Sequence, residues 1–274
     1  MAAVSCAAPS HVGVVDDLGR HVELPSQIHR VVTLAPNLTE MVYALGGQRL
    51  LVGTDDFSDF PAEAKRLRKV GGMQPNVELI AALAPDVVMA TTNGNHASLA
   101  PSLASAHVAM FVVAGERLEQ IPLGLRKVAA ILKLTTGEEA SSSLQRAIDQ
   151  QRRHRIRRPS ILFAVWASPM YVAGRETFID DLISLTGAVN AVPRTMHGWP
   201  AFSLESFAAS PPDILLYPAT SVSRQQIDAV LQRVPHWRGT VAAVDENRFT
   251  RPGPRVALAA ADLNAILDRW KPTP

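Results

Sequence analysis

Two stretches of this chain repeat one another. Residues 76 to 90 read NVELIAALAPDVVMA and residues 203 to 217 read SLESFAASPPDILLY, and they align without gaps. Glu78 falls on Glu205, Ala81 and Ala82 on Ala208 and Ala209, Pro85 on Pro212, and Asp86 on Asp213. Each copy reads as a short helix opened by an N-cap residue, Asn76 or Ser203, followed by a Pro-Asp turn and a buried apolar strand. Both glutamates then occupy the first helical turn, where the helix dipole favours a negative charge. Two unrelated helix–strand units sharing common turn chemistry would look the same over this length. The alternative is two similar α/β lobes with a cleft between them, a preferred place for a small-molecule site. One surface carboxylate on each lobe suits docking to a symmetric partner. A catalytic carboxylate pair would have to lie within ~10 Å of one another.

The rest of the chain fits the two-lobe plan. Residues 13 to 28 alternate around Asp17-Leu18-Gly19 and read as a hairpin. A strand at 30–34 runs into Pro36, which suits the first turn of a helix that Gly46-Gly47 stops. Strands follow at 50–54, 87–90 and 110–114, with a helix at 77–83; strands alternating with helices argue for a parallel sheet. Between 118 and 157 the pattern is helical throughout, with a long, polar, largely exposed helix predicted after Gly137. A second α/β segment opens at Ile161, has strands near 214–217 and 241–244, and ends in a helix from about 256 to 270. The predicted organisation is a tail and hairpin over 1–28, a first lobe over 29–117, helices including a connecting helix over 118–157, and a second lobe over 158–274.

Lys plus Arg number 27 and Asp plus Glu 25, a net charge of +2 that offers no broad basic face for nucleic acid. The one basic run, Arg152-Arg153-His154-Arg155-Ile156-Arg157-Arg158, reads as the solvated end of a helix entering a linker. No stretch approaches the ~18 apolar residues of a membrane span. The start, MAAVSCAAPSH, resembles the tail of a trimmed secretion signal. AVSC also resembles the end of a lipoprotein signal without its usual leucine, which would make Cys6 a lipid anchor; a terminus with an incidental cysteine is the other reading. Enzyme chemistry finds no foothold. There is no Gly-x-Ser-x-Gly elbow and no phosphate-cradling Gly-x-x-x-x-Gly-Lys loop, and the eight histidines show no metal-ligand spacing. A cleft enzyme such as a metal chelatase would need clustered Cys or His ligands. His197, beside Gly198 and Trp199, reads as a loop histidine, with a ligand contact or coordination of a metal centre as the other readings.

Taken in order, DDLGRHVELP, RVVTLAPNLTEMVYALGG, VGTDDFSDFP, NVELIAALAPDVVMA, YVAGRETFIDDLISLTGAVNAV, WPAFSLESFAASPPDIL and RPGPRVALAAADL resemble the class III periplasmic substrate-binding proteins of ABC importers. That resemblance runs from about Gly13 to Trp270. It implies two Rossmann-like lobes with central parallel sheets, joined by a long rigid helix. GWPAFSLESF and FSDFP are most similar to the cobalamin-binding branch. The implied function is capture of cobalamin or a related corrinoid, with haem or a ferric siderophore as the alternative ligand. A sensor or surface adhesin is a further possibility.

By the same resemblance Trp199 and Phe57 would press aromatic faces on a macrocycle. Asn37 would contact ligand from a helix start, Tyr171 from the loop after the second lobe's first strand, and Asn247 and Arg251 from a late loop. Glu78 and Glu205 would form salt bridges with the permease dimer of the inner membrane. The implied protein is a periplasmic monomer with no catalytic cofactor, no metal and no nucleic-acid partner. One loop departs from the cobalamin-binding pattern: Gly71-Gly72-Met73-Gln74-Pro75 carries no tryptophan, which implies a smaller corrinoid or another ligand.

Overall fold

The computed structural model describes residues 11–92, 94 and 98–272. An antiparallel hairpin, β1 (His11–Val15) and β2 (His21–Pro25), is followed by β3 (Val31–Thr33), α1 (Pro36–Ala44), β4 (Leu51–Thr54) and α2 (Val77–Ala82). Then come β5 (Val87–Thr91), α3 (Ala100–Ser105), β6 (Met110–Val113), α4 (Gln120–Leu132) and α5 (Gly137–Asp149). The second half holds β7 (Ser160–Ala167), β8 (Met170–Val172), α6 (Phe178–Leu185), β9 (Val189–Asn190) and α7 (Leu204–Ala209). It continues with β10 (Ile214–Pro218), α8 (Arg224–Leu231), β11 (Thr240–Val244), α9 (Glu246–Phe249) and α10 (Val256–Arg269). Two compact units result. The first runs to Gly115 and takes in Pro122–Ser141; the second holds Glu116–Ile121 and the chain from Ser142 onward.

Each unit is built on the same parallel sheet. In the first the strand order is β4-β3-β5-β6, every neighbour parallel. In the second, β9 and β10 flank β7 and β11 lies outside β10, again all parallel. Both sheets therefore place the second parallel strand on one side of the first and the third and fourth on the other. β8 is an addition, pairing antiparallel with β7 as a short hairpin. β5, β6 and β10 are buried along their whole length, as strands covered on both faces must be.

The repeat supplies the third strand of each sheet and does the same work in both. Asn76 and Ser203 accept the amides of Leu79 and Ser206 as N-caps. Ile80 and Phe207, at matching positions, are fully buried. Asp86 Oδ2 accepts the amides of His29 and Arg30 at 2.6 and 2.9 Å, at the start of β3. Asp213 Oδ2 accepts the amide and hydroxyl of Ser160 at 2.7 and 2.8 Å, at the start of β7. The Pro-Asp turn thus ties the third strand of each sheet to the first.

The polar helix differs from its prediction in two ways. It buries one face, Gly137, Ser141, Leu144 and Ile148, at helical spacing. It also ends at Asp149 instead of continuing to Arg157. Five arginines in seven residues repel one another along a helix, and the Arg153 amide leaves the helical ladder to donate to the Leu185 carbonyl at 3.0 Å.

Candidate functional site

In open parallel sheets, ligand sites gather outside the carboxyl ends of the strands, where successive connections run in opposite directions. In the first unit that place is the pair of loops after β3 and β4. Pro36 opens α1 at its first position with Ala35 as N-cap, placing Asn37 in the first turn. Asn37 is only 4% exposed, so little of the side chain expected to meet ligand is accessible. Phe57, after β4, is 53% exposed. Its ring lies over Gly72, where an added Cβ would come 3.0 Å from the ring edge. Gly71, at φ 109°, lets the adjoining loop fold back, its carbonyl accepting the Asp56 amide at 3.0 Å. The loop without a tryptophan therefore serves as the bed of Phe57, with Met73 exposed beside it in sequence.

Beneath Phe57 is a buried polar cluster that the sequence reading missed. Thr33, Thr39, Thr54, Asp55 and Ser58 are all at most 1% exposed. The Thr39 hydroxyl lies 2.6 Å from that of Thr33, 2.8 Å from Thr54 and 2.7 Å from Ser58. Ser58 and Thr54 donate to Asp55 Oδ1, while Asp55 Oδ2 accepts the Phe57 amide at 3.0 Å. Lys69 Nζ closes the loop from the other side, donating to the carbonyls of Asp55 and Ser58 at 3.1 and 2.6 Å. Burial raises the Asp55 carboxyl above its ordinary pKa, against the opposing effect of the Ser58, Phe57 and Thr54 bonds and the Lys69 charge. Burial likewise lowers Lys69. This network holds the α1 start and the Phe57 loop together.

In the second unit the chain after β9 folds back along the residues following β7. Val172 and Gly174 donate to the carbonyls of Pro200 and Gly198 at 3.1 and 2.8 Å, and Gly198 donates to Arg175 at 2.9 Å. Tyr171 pairs with Ala201, and Arg175 with His197. Tyr171 stands on β8 and not on a loop, because β7 turns back on itself through Ser168-Pro169. The ribbon carries both Tyr171 and Trp199, 40% and 41% exposed. The Trp199 ring meets Phe178 edge-on with centroids 6.4 Å apart. His197 Nδ1 lies 3.1 Å from Glu176.

Under the ribbon, Arg175 donates to Asp180 at 3.1 Å and to the carbonyls of Asn190 and Val192 at 3.0 and 2.9 Å. Asn190 in turn donates to Asp180 at 2.9 Å. These supports were also missed; the one sequence cue was GRETFIDD, whose charges lie in an otherwise apolar stretch.

Asn247 lies on α9, a short helix capped by Asp245, and not on a loop; it and Arg251 are half-buried. Glu78 and Glu205 are both exposed at the second position of their helices. The Glu205 carboxyl is held below its ordinary pKa by its own backbone amide and by Ser203. Cys6 falls outside the described residues. Among the described residues no three His, Cys, Asp or Glu side chains gather as metal ligands, and no helix is long and apolar enough to cross a membrane.

Two α/β units of one topology, with exposed aromatic side chains at the carboxyl edges of their sheets, define the class of two-lobed ligand-binding proteins. The chain belongs to the periplasmic binding protein family, whose sequence pattern matches residues 31–255. It is 30% identical over 254 residues to a vitamin B12-binding protein of Pectobacterium atrosepticum, covering 89% of this chain and 90% of that one. Its fold is shared with the periplasmic vitamin B12-binding protein of Vibrio cholerae, at a TM-score of 0.74, 22% identity, and coverage of 88% and 97%. A periplasmic haem-binding protein of Pseudomonas aeruginosa superposes at a TM-score of 0.76 and 25% identity, with coverage of 90% and 95%. The class III resemblance read from the sequence motifs is borne out.

Proposed function

We propose that this protein is the periplasmic substrate-binding component of an ABC importer, a carrier and not an enzyme, and that its cargo is cobalamin or a related corrinoid. The observation that carries this reading is the Tyr171–Trp199 ribbon. It holds two half-exposed aromatic rings on a backbone fixed by paired strands and by the Arg175–Asp180–Asn190 cluster. A corrinoid is broad, amphiphilic and nearly neutral, so rigid aromatic faces with few charges suit it. Phe57, Asn37, Asn247 and Arg251 complete the proposed contact set. The vitamin B12-binding relative at 30% identity supports the ligand class.

Haem is the second reading. Tyr171 presents a half-exposed phenol on the same ribbon as Trp199, and a tyrosine oxygen is a known axial ligand of haem iron. The haem-binding structural neighbour supports the same alternative. Calorimetric titration with cyanocobalamin, haemin and a ferric siderophore separates these ligands. One-to-one binding of cyanocobalamin alone is expected. Heat from haemin or siderophore alone would move the cargo to the iron side of the family, and heat from none would remove the transport reading.

Delivery is assigned to Glu78 and Glu205, equivalent exposed carboxylates, one per unit, that meet basic side chains of the permease dimer. The double variant Glu78→Ala/Glu205→Ala should bind cyanocobalamin with unchanged affinity and lose most of its stimulation of uptake in reconstituted vesicles. A fall in ligand affinity instead would place the glutamates in the pocket.

A further inference from the structure

The segment between α5 and β7, Arg152 to Arg158, contains five arginines, one histidine and no acidic residue. It is not loose chain. The Arg155 guanidinium reaches the Thr186 carbonyl at 2.9 Å, Asn264 Oδ1 at 3.1 Å and Asp268 at 2.8 Å. Arg158 bonds the carbonyls of Gly187 and Ala188 at 3.4 and 3.2 Å. Gly187, at φ 79°, is needed for this fit, since an added Cβ would come 2.8 Å from the Arg153 carbonyl oxygen. The segment is thus laid over the C-terminal end of α6, the negative end of its dipole.

These bonds set the conformation and leave most of the charge. Asp149 faces Arg152 at 3.6 Å and Asp268 faces Arg155, whereas Arg153, Arg157 and Arg158 have no acidic partner among the described residues. Arg152, Arg153, Arg155 and Arg158 with His154 border a recess of about 290 Å³. Between the cations stands Ile156, 105% exposed and packed on nothing.

We propose that this segment docks the protein on an anionic phospholipid surface, its guanidiniums on the headgroup phosphates and Ile156 at the acyl boundary. Phosphates alone would account for the arginines. An apolar side chain held out among them gains only where hydrocarbon lies next to the phosphates, which describes a bilayer interface and not a nucleic acid backbone. The segment precedes β7 and so lies at the amino edge of the second sheet, whereas Tyr171 pairs with Trp166 at the carboxyl end of β7 and the Trp199 stretch pairs with Tyr171 there. Lipid contact therefore leaves the proposed ligand surface uncovered.

Co-sedimentation of the full chain with vesicles of phosphatidylcholine alone, or of phosphatidylcholine with phosphatidylglycerol, tests this without any cargo ligand. Binding to the anionic vesicles only, falling steeply with salt, is expected. Each arginine at such a surface contributes roughly fivefold, so Arg153→Ser/Arg157→Ser/Arg158→Ser should weaken partitioning about 100-fold. Arg157→Glu touches no intramolecular bond and keeps the test valid if the triple variant folds poorly; it should weaken binding about 25-fold. Ile156→Ser should weaken binding several-fold while leaving the salt dependence unchanged. Equal binding to both vesicle types, or an Arg157→Glu variant that binds like wild type, would overturn the proposal. So would displacement by millimolar inorganic phosphate, which would make the recess a free-anion site, or tighter binding to a DNA duplex than to the anionic vesicles.

Discussion

Asp55→Ala should lower the thermal midpoint by roughly 6 to 12 °C and loosen the loop that carries Phe57. The carboxylate is the common acceptor for the buried Ser58 and Thr54 hydroxyls and for the part-buried Phe57 amide. Removing it strands buried donors, at about 1–3 kcal/mol each, and a total near 3 kcal/mol converts to that shift for a chain of this size. Asp55→Asn resembles the protonated acid, which burial already favours, and should cost less than half as much. The sign of the pH effect follows from the raised pKa. The contribution of Asp55 to stability is full below its ordinary value and fades as pH rises through the folded value. Differential scanning calorimetry of wild type and Asp55→Asn across that range should show the wild type alone losing this increment. A midpoint unchanged in Asp55→Ala would show that the hydroxyls re-pair without the carboxylate. Hydrogen exchange offers a local reading: the Phe57 amide should exchange faster in both variants.

Trp199→Ala should weaken cyanocobalamin binding about 30- to 150-fold while moving the thermal midpoint little. An exposed, rigidly seated tryptophan is the residue type that most often dominates a binding surface, and losses of about 2–3 kcal/mol are usual when one is truncated. The ring is half-exposed and touches the body of the protein through the edge contact with Phe178, so little packing is lost with it. Trp199→Phe keeps an aromatic face and should recover most of the affinity. Fluorescence quenching titrations give both numbers. An unchanged Kd in Trp199→Ala would remove the ribbon from the binding site. Phe57→Ala provides the matching test on the first unit, and combining it with Asp55→Asn shows whether Asp55 acts on ligand through Phe57: the two effects should then be non-additive.

Much of the architecture is legible in the sequence because its signals are local. Alternating β1 and β2, the apolar strands β5 and β10, Pro36 at the head of α1 and the capped helices α2 and α7 each declare themselves within a dozen residues. The repeat of Asn76–Ala90 at Ser203–Tyr217 extends those local signals to the whole plan, since two like units require two like sheets. Even the Pro-Asp turn is visible there, although its partners, the first residues of β3 and β7, are not.

The remaining features join residues that are far apart in the chain. Thr33, Thr39, Thr54 and Ser58 carry no periodicity, and their hydroxyls join the network that ends on Asp55 only when β3, β4 and α1 pack together. Tyr171 reads as a loop residue until β8 pairs with β7 and the stretch around Trp199 zips onto it. The end of α5 is equally hidden, because the partner that draws Arg153 out of the helix is a carbonyl at the far end of α6. Asn37, polar and at a helix start, reads as accessible and is buried. Propensity, capping and apolar pattern act over a few residues and are written in the chain. Burial of a polar group, and the partner that satisfies it, depend on which distant segments close around it, and that is settled by packing.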